Sequence, residues 1–258
     1  MIRAAALALC LYCVQGYNVC NLEAHEESPG RTMNTTPYEL EIKMQTVQRR
    51  LLEAYGEPAW RPPLDPVAEL VSTILSQNTN DVNRDVAFDR LRARLPTWEQ
   101  VRDADADVVI EAIRPAGLAN QKGPRIQEAL RFITREQGKL SLDFLAGWPV
   151  EDAKSWLTSI KGVGPKTAAI VLLFSLGRPA FPVDTHVHRV TKRLGLIGAR
   201  TSREKAHDEL EHLAAPEDYY AFHLNLIQHG RQVCSSRKPR CAICNMQDLC
   251  DHYQEQCL

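Results

Sequence analysis

Residues 157–190 read LTSIKGVGPKTAAIVLLFSLGRPAFPVDTHVHRV. Trp156, Leu157 and Ile160 recur at helical spacing, Gly162-Val163-Gly164 interrupts the run, and Pro165 suits the first position of a new helix, where its missing N–H costs nothing. The pattern predicts a helix-hairpin-helix. Gly162 and Gly164 allow positive φ and close approach, so the backbone N–H groups of the turn can face a phosphate at the start of the second helix. This reads as a sequence-independent grip on a nucleic-acid backbone by Gly162, Val163 and Gly164.

Lys166 follows Pro165 in the first turn of the second helix, where the positive end of the helix dipole disfavours an ammonium and favours a nucleophilic neutral amine. Such an amine suits Schiff-base chemistry at an aldehyde or a sugar C1′. Asp184, in the run PVDTHVHRV, precedes another helical segment. It can serve as an N-cap. It can also present its carboxylate to Lys166 across the gap between the two segments.

Working outward, the chain reads as all-α. Tyr38–Tyr55 is expected to form a helix with an apolar face of Leu40, Ile42, Val47, Leu51 and Leu52. Val67, Leu70, Val71, Ile74 and Leu75 recur at i, i+3, i+4, i+7 and i+8, with Asp65 placed to cap them. Further helices are expected at 82–95, 97–113, 124–137, 150–160, 185–195, 202–214 and 217–229, with Gly138 a C-terminal stop. Residues 1–37 read as a disordered prefix. Its apolar run from Ile2 to Val14 is too short to span a bilayer and lacks a clean cleavage site, so no signal peptide is assigned.

Net charge is −1 over 258 residues, so attraction to a polyanion must come from local clusters. Arg231, Arg237, Lys238 and Arg240 form such a cluster without an acid. Within it begins the array Cys234, Cys241, Cys244 and Cys250, spaced C-x6-C-x2-C-x5-C, too dense for loop-closing disulfides in a helical chain. These four are expected to share a metal, and the softness of thiolates allows zinc or iron–sulfur alike. No pair of histidines at helical spacing offers a competing zinc site.

LTSIKGVGPKTA followed by VDTHVHRV resembles the helix-hairpin-helix and aspartate loop of the endonuclease III family of DNA glycosylases, and the likeness extends from roughly residue 66 to 253. The resemblance implies that Lys166 is the nucleophile, that Asp184 assists it, and that the cysteine loop at 234–250 holds a 4Fe-4S cluster and pins Arg237, Lys238 and Arg240 against phosphates. It implies a helix at 38–62 joining a C-terminal domain at 181–258, a six-helix domain at 63–180 carrying the hairpin at 157–175, and an active cleft between the two. It implies too that, in the loop LSQNTND, Gln77 or Asn78 supplies an amide to fill the gap left by an extruded base, and that Leu118, in the loop AGLAN, is the matching apolar plug.

The resemblance further implies a monomeric bifunctional DNA glycosylase and abasic-site lyase of base excision repair. Its partner would be double-stranded DNA containing damaged bases, chiefly oxidised pyrimidines, or abasic sites. The expected location is intracellular and cytoplasmic, with DNA and away from membranes. Two other readings are open: an adenine or mismatch-thymine glycosylase of the same superfamily, and a non-catalytic DNA-binding module with a structural zinc.

Overall fold

The computed structural model describes residues 36–256. Most of the 1–37 prefix, with the run from Ile2 to Val14, lies outside them. Its last two residues belong to the fold. Thr36 is the N-cap of α1 (Pro37–Tyr55), where its side chain accepts from the Glu39 N–H while the Glu39 carboxylate accepts from the Thr36 N–H at 2.8 Å. Among the described residues no helix is long and apolar enough to cross a membrane.

Asp65 caps α2 (Pro66–Ser76) by accepting from the N–H groups of Val67 and Ala68, both at 3.0 Å. The helix is buried from Pro66 to Leu75 on all sides, not on one face alone. Its single carboxylate, Glu69, is therefore paired, accepting from Arg61 at 2.7 Å. Against α2 pack α3 (Asp81–Arg94) and α6 (Ala119–Gln137), while α4 (Trp98–Asp103) packs on α6 and α5 (Ala106–Ile113) on α3 and α6. The expected single helix at 97–113 is two, because Ala104 turns extended and Asp105 starts the second. The expected start of α6 at Pro124 is also wrong: the helix begins five residues earlier and carries Pro124 inside it.

The hairpin joins α7 (Val150–Thr158) to α8 (Pro165–Ile170), and α8 runs on into a single π turn, Val171–Ser175. Then come α9 (Thr185–Leu194), α10 (Arg203–Leu213), α11 (Tyr219–Gln232) and α12 (Asp251–Gln256). The apolar interior forms two clusters. One runs continuously along the chain from Val67 to Ala180. The other joins Met44, Val47 and Leu51 of α1 to residues between Leu173 and Met246. The π turn crosses from one to the other, with Val171 and Leu172 in the first and Leu173 and Phe174 in the second. Ile42 and Leu52, expected on the buried face of α1, are exposed instead.

Candidate active site and cysteine pocket

The hairpin turn is tied down by its own residues. Val163 is buried, and its N–H donates to the Ile160 carbonyl at 3.0 Å. Gly162 has φ +85, and a Cβ there would strike the Arg125 side chain. Gly164 is extended at φ −100, so the expected need for positive φ holds at Gly162 only. Val163's N–H is spent internally, whereas those of Gly162, Gly164, Lys166 and Thr167 make no hydrogen bond to a described residue. They are the unpaired donors that a helix start leaves toward solvent.

Lys166 is exposed at the second position of α8. Asp184 caps α9, its Oδ1 accepting from the N–H groups of His186 at 2.8 Å and Val187 at 2.7 Å. The two side chains do not form an ion pair. Both bear electrostatically on a third residue, absent from the sequence expectations. His223 of α11 is buried, and burial drives its pKa down to about 4; the Asp184 carboxylate opposes that shift and the Lys166 ammonium reinforces it. Its Nδ1 lies 2.8 Å from the Pro182 carbonyl, which can only accept, so Nδ1 carries the proton and Nε2 is bare. One buried neutral imidazole thus feels both candidate groups. The only sequence trace of it is a histidine in an apolar run, which a core residue explains equally well.

Of the two loops expected to enter a duplex, the one holding Gln77 reaches the hairpin turn at Gly162. Asn78 and Leu118 are the non-glycine residues with positive φ, +55 and +50, among the described residues. Asn78 is exposed and Leu118 is 49% exposed. Gln77 is held back: its Oε1 accepts from Arg125 at 2.8 Å, and its Nε2 lies 3.5 Å from the Gly162 carbonyl.

The four cysteines of the array line one partly open pocket, together with Val190, Leu194, His229 and Tyr253. None of the four is in a disulfide. Arg193, in the last turn of α9, organises the loop: its guanidinium donates to the Ser235 carbonyl at 2.7 Å, the Ser236 carbonyl at 2.9 Å and the Cys234 sulfur at 3.2 Å. Among the described residues no three Cys, His, Asp or Glu side chains are gathered to hold one metal ion. Arg237, Lys238 and Arg240 are exposed on the same loop, without a carboxylate in ion-pair reach among the described residues.

Residues 71–216 match the model of the HhH-GPD superfamily base excision DNA repair proteins. A relative from Arabidopsis thaliana is 39% identical over 173 residues, which cover 67% of this chain; this chain spans 59% of that protein's length. Endonuclease III of Sulfolobus acidocaldarius is 35% identical over 188 residues, 72% of this chain and 82% of that one. A solved structure of a trapped endonuclease III–DNA covalent intermediate superposes with a TM-score of 0.73 at 24% identity, over 84% of this chain and 99% of the other. The all-α fold and the matched residues agree: the chain belongs to the HhH-GPD superfamily of base excision DNA repair proteins, as a DNA glycosylase of the endonuclease III family.

Proposed function

We propose that the chain is a bifunctional DNA glycosylase and abasic-site lyase that excises damaged bases, oxidised pyrimidines foremost, from double-stranded DNA. The observation that carries this reading is an exposed Lys166 in the first turn of the second hairpin helix, beside the unpaired N–H groups of the turn, together with an Asp184 that caps α9 through one carboxylate oxygen and leaves the other uncommitted. Lys166, once it has shed a proton, attacks C1′ through its amine nitrogen; the C1′–N bond breaks and the base leaves with the electron pair and a proton. The Schiff base that follows acidifies the C2′ hydrogen. Loss of that proton expels the 3′ phosphate and cuts the strand. Asp184 stabilises positive charge developing on the sugar, and its Oδ2, which makes no hydrogen bond to a described residue, is the oxygen available to carry protons.

The two apolar cores are read as two domains, with α1 in the second and the reactive groups at the cleft between them. Phosphate is gripped by the unpaired N–H groups of Gly162 and Gly164, with Val163 as the buried anchor of the turn. Leu118 and Asn78 enter the duplex, Asn78 in preference to Gln77 because its amide is exposed and uncommitted. Cys234, Cys241, Cys244 and Cys250 are read as ligands of a 4Fe-4S cluster. A single tetrahedral zinc would need sulfurs about 3.8 Å apart, and among the described residues no three of these side chains are gathered around one ion. When bound, the cluster supplies a covalent anchor that holds Arg237, Lys238 and Arg240 at the phosphates.

Borohydride reduction during turnover tests the mechanism. A covalent protein–DNA adduct is expected with the wild type and with Lys161→Ala, whose lysine lies in the hairpin turn, 3.4 Å from Glu128. None is expected with Lys166→Ala, and Asp184→Asn should bind DNA but react slowly. Robust trapping by Lys166→Ala overturns the nucleophile. Base loss without any trapping by the wild type makes the chain a monofunctional glycosylase, and no reaction on any lesion leaves a binding module.

A further inference from the structure

Lys122 is a lysine with 1% of its surface exposed, in the first half of α6. Its ammonium donates to the Leu75 carbonyl at 2.7 Å and the Ala116 carbonyl at 2.8 Å. It forms no ion pair among the described residues. Burying a cation without a carboxylate is costly, and an apolar side chain of the same length would fill the space at lower cost. The charge is retained for what it touches.

Each carbonyl stands just before one of the two strained loop tips. Leu75 precedes Asn78 by three residues, and Ala116 precedes Leu118 by two. Those are the two non-glycine residues at positive φ, both pointing into solvent. The carbonyls ahead of them come from α2 and from the turn before α6, segments that share no backbone hydrogen bond. One nitrogen joins them. One turn further along α6, Arg125 repeats the arrangement by holding Gln77 and lying over Gly162 of the hairpin.

We propose that Lys122 is a positioning residue: its buried ammonium clasps the Leu75 and Ala116 carbonyls and thereby fixes the separation of Asn78 and Leu118, so that both tips enter one gap in a duplex together. This rests on the reading above that those two residues enter DNA. Without the clasp each loop keeps its own turn, but the distance between the tips is no longer set. The loss should fall on recognition of a disrupted site and spare the grip on ordinary duplex.

The test measures the affinity of the full chain for a duplex containing a tetrahydrofuran abasic analogue, relative to the same duplex intact. In parallel it follows the fluorescence of an aminopurine placed opposite the analogue. Lys122→Met, which keeps length and volume, should lower the affinity ratio about tenfold, the equivalent of roughly one hydrogen bond to a charged group, and abolish the fluorescence rise. A general loss of folded protein moves both affinities alike and leaves the ratio unchanged. Lys122→Arg, which restores a cation and its donors, should recover at least part of both signals. A wild-type ratio and fluorescence rise in Lys122→Met overturn the clasp, as does a Lys122→Arg variant no better than Lys122→Met. Should Lys122→Met fail to fold, Lys122→Gln keeps two N–H donors without the reach; a wild-type ratio there also overturns it. Asn78→Ala and Leu118→Ala separate the two readings. If they keep the wild-type signals, DNA entry itself fails; if they lose them while Lys122→Met keeps them, only the clasp does.

Discussion

The guanidinium of Arg193 lies 3.2 Å from the sulfur of Cys234, and the backbone carbonyl of the same arginine accepts from the sulfur of Cys250 at 3.2 Å. One residue of α9 therefore touches both ends of the cysteine array. Order in the loop is shared between this arginine and whatever the four thiols hold.

Replacing Cys244 with Ser should bleach the yellow-brown colour expected of the purified protein. It should also lower the melting temperature on the order of 5–10 °C, because a ligand set that folds with its metal contributes to stability directly. Visible absorbance, iron content and thermal melting check this. A colourless wild type with one zinc per chain would replace the cluster with a single ion.

Lys238 is exposed on the same loop, and the loop is braced beneath it by the Ser235 hydroxyl donating to the Lys238 carbonyl at 2.6 Å. Lys238→Ala should weaken binding to all sequences alike and reduce the slope of log affinity against log salt by about one unit. Titrations at several salt concentrations measure the slope. If it does not change, Lys238 is not a phosphate contact.

His223 sets an acid limit. Its pKa in the folded protein, about 4, lies below the ordinary 6.5, so the unfolded chain binds the extra proton between those values. The stability it contributes is complete above pH 6.5 and is lost as pH falls toward 4, a change on the order of 3 kcal/mol. His223→Gln, which keeps a donor for the Pro182 carbonyl, should flatten the dependence of the urea midpoint on pH between 7 and 5. Identical pH dependence in the variant would remove His223 as its source.

Asn78 and Gln77 differ in what they already hold, and the difference predicts different losses. Asn78→Ala should lower excision of a damaged pyrimidine about tenfold, as read in single-turnover base release. Gln77→Ala should cost less and act through Arg125, which loses its partner. A larger loss at Gln77 would exchange their roles.

The sequence made the local parts legible. Asp65 before a run at i, i+3 and i+4 located α2, Gly162 with Pro165 located the hairpin, and four cysteines in close spacing located the pocket. What it concealed depends on distant chain. A lysine in a helix reads as a surface residue, and Lys122 is buried only because two loops, 47 and six residues away in sequence, converge on its nitrogen. The start of α6 was misplaced for a related reason. Pro124 is ordinarily a helix boundary, but here the helix extends back to Ala119, where Leu118 takes the left-handed cap. His223 matters because α11 places it between segments that are far apart in the chain, which no periodicity records.

The second core has a consequence for synthesis of the chain. Met44, Val47 and Leu51 of α1 leave the ribosome early, yet the side chains that cover them lie between Leu173 and Met246. The first core draws only on residues from Val67 to Ala180 and can close while the rest is still being made. Until α10, α11 and the cysteine loop emerge, the apolar stripe of α1 lacks its native cover. Its pairing spans almost the whole chain and is the slowest to form. The newborn protein is therefore most open to misassembly and to chaperone capture at α1, and the emergence of the chain up to Met246 ends that interval.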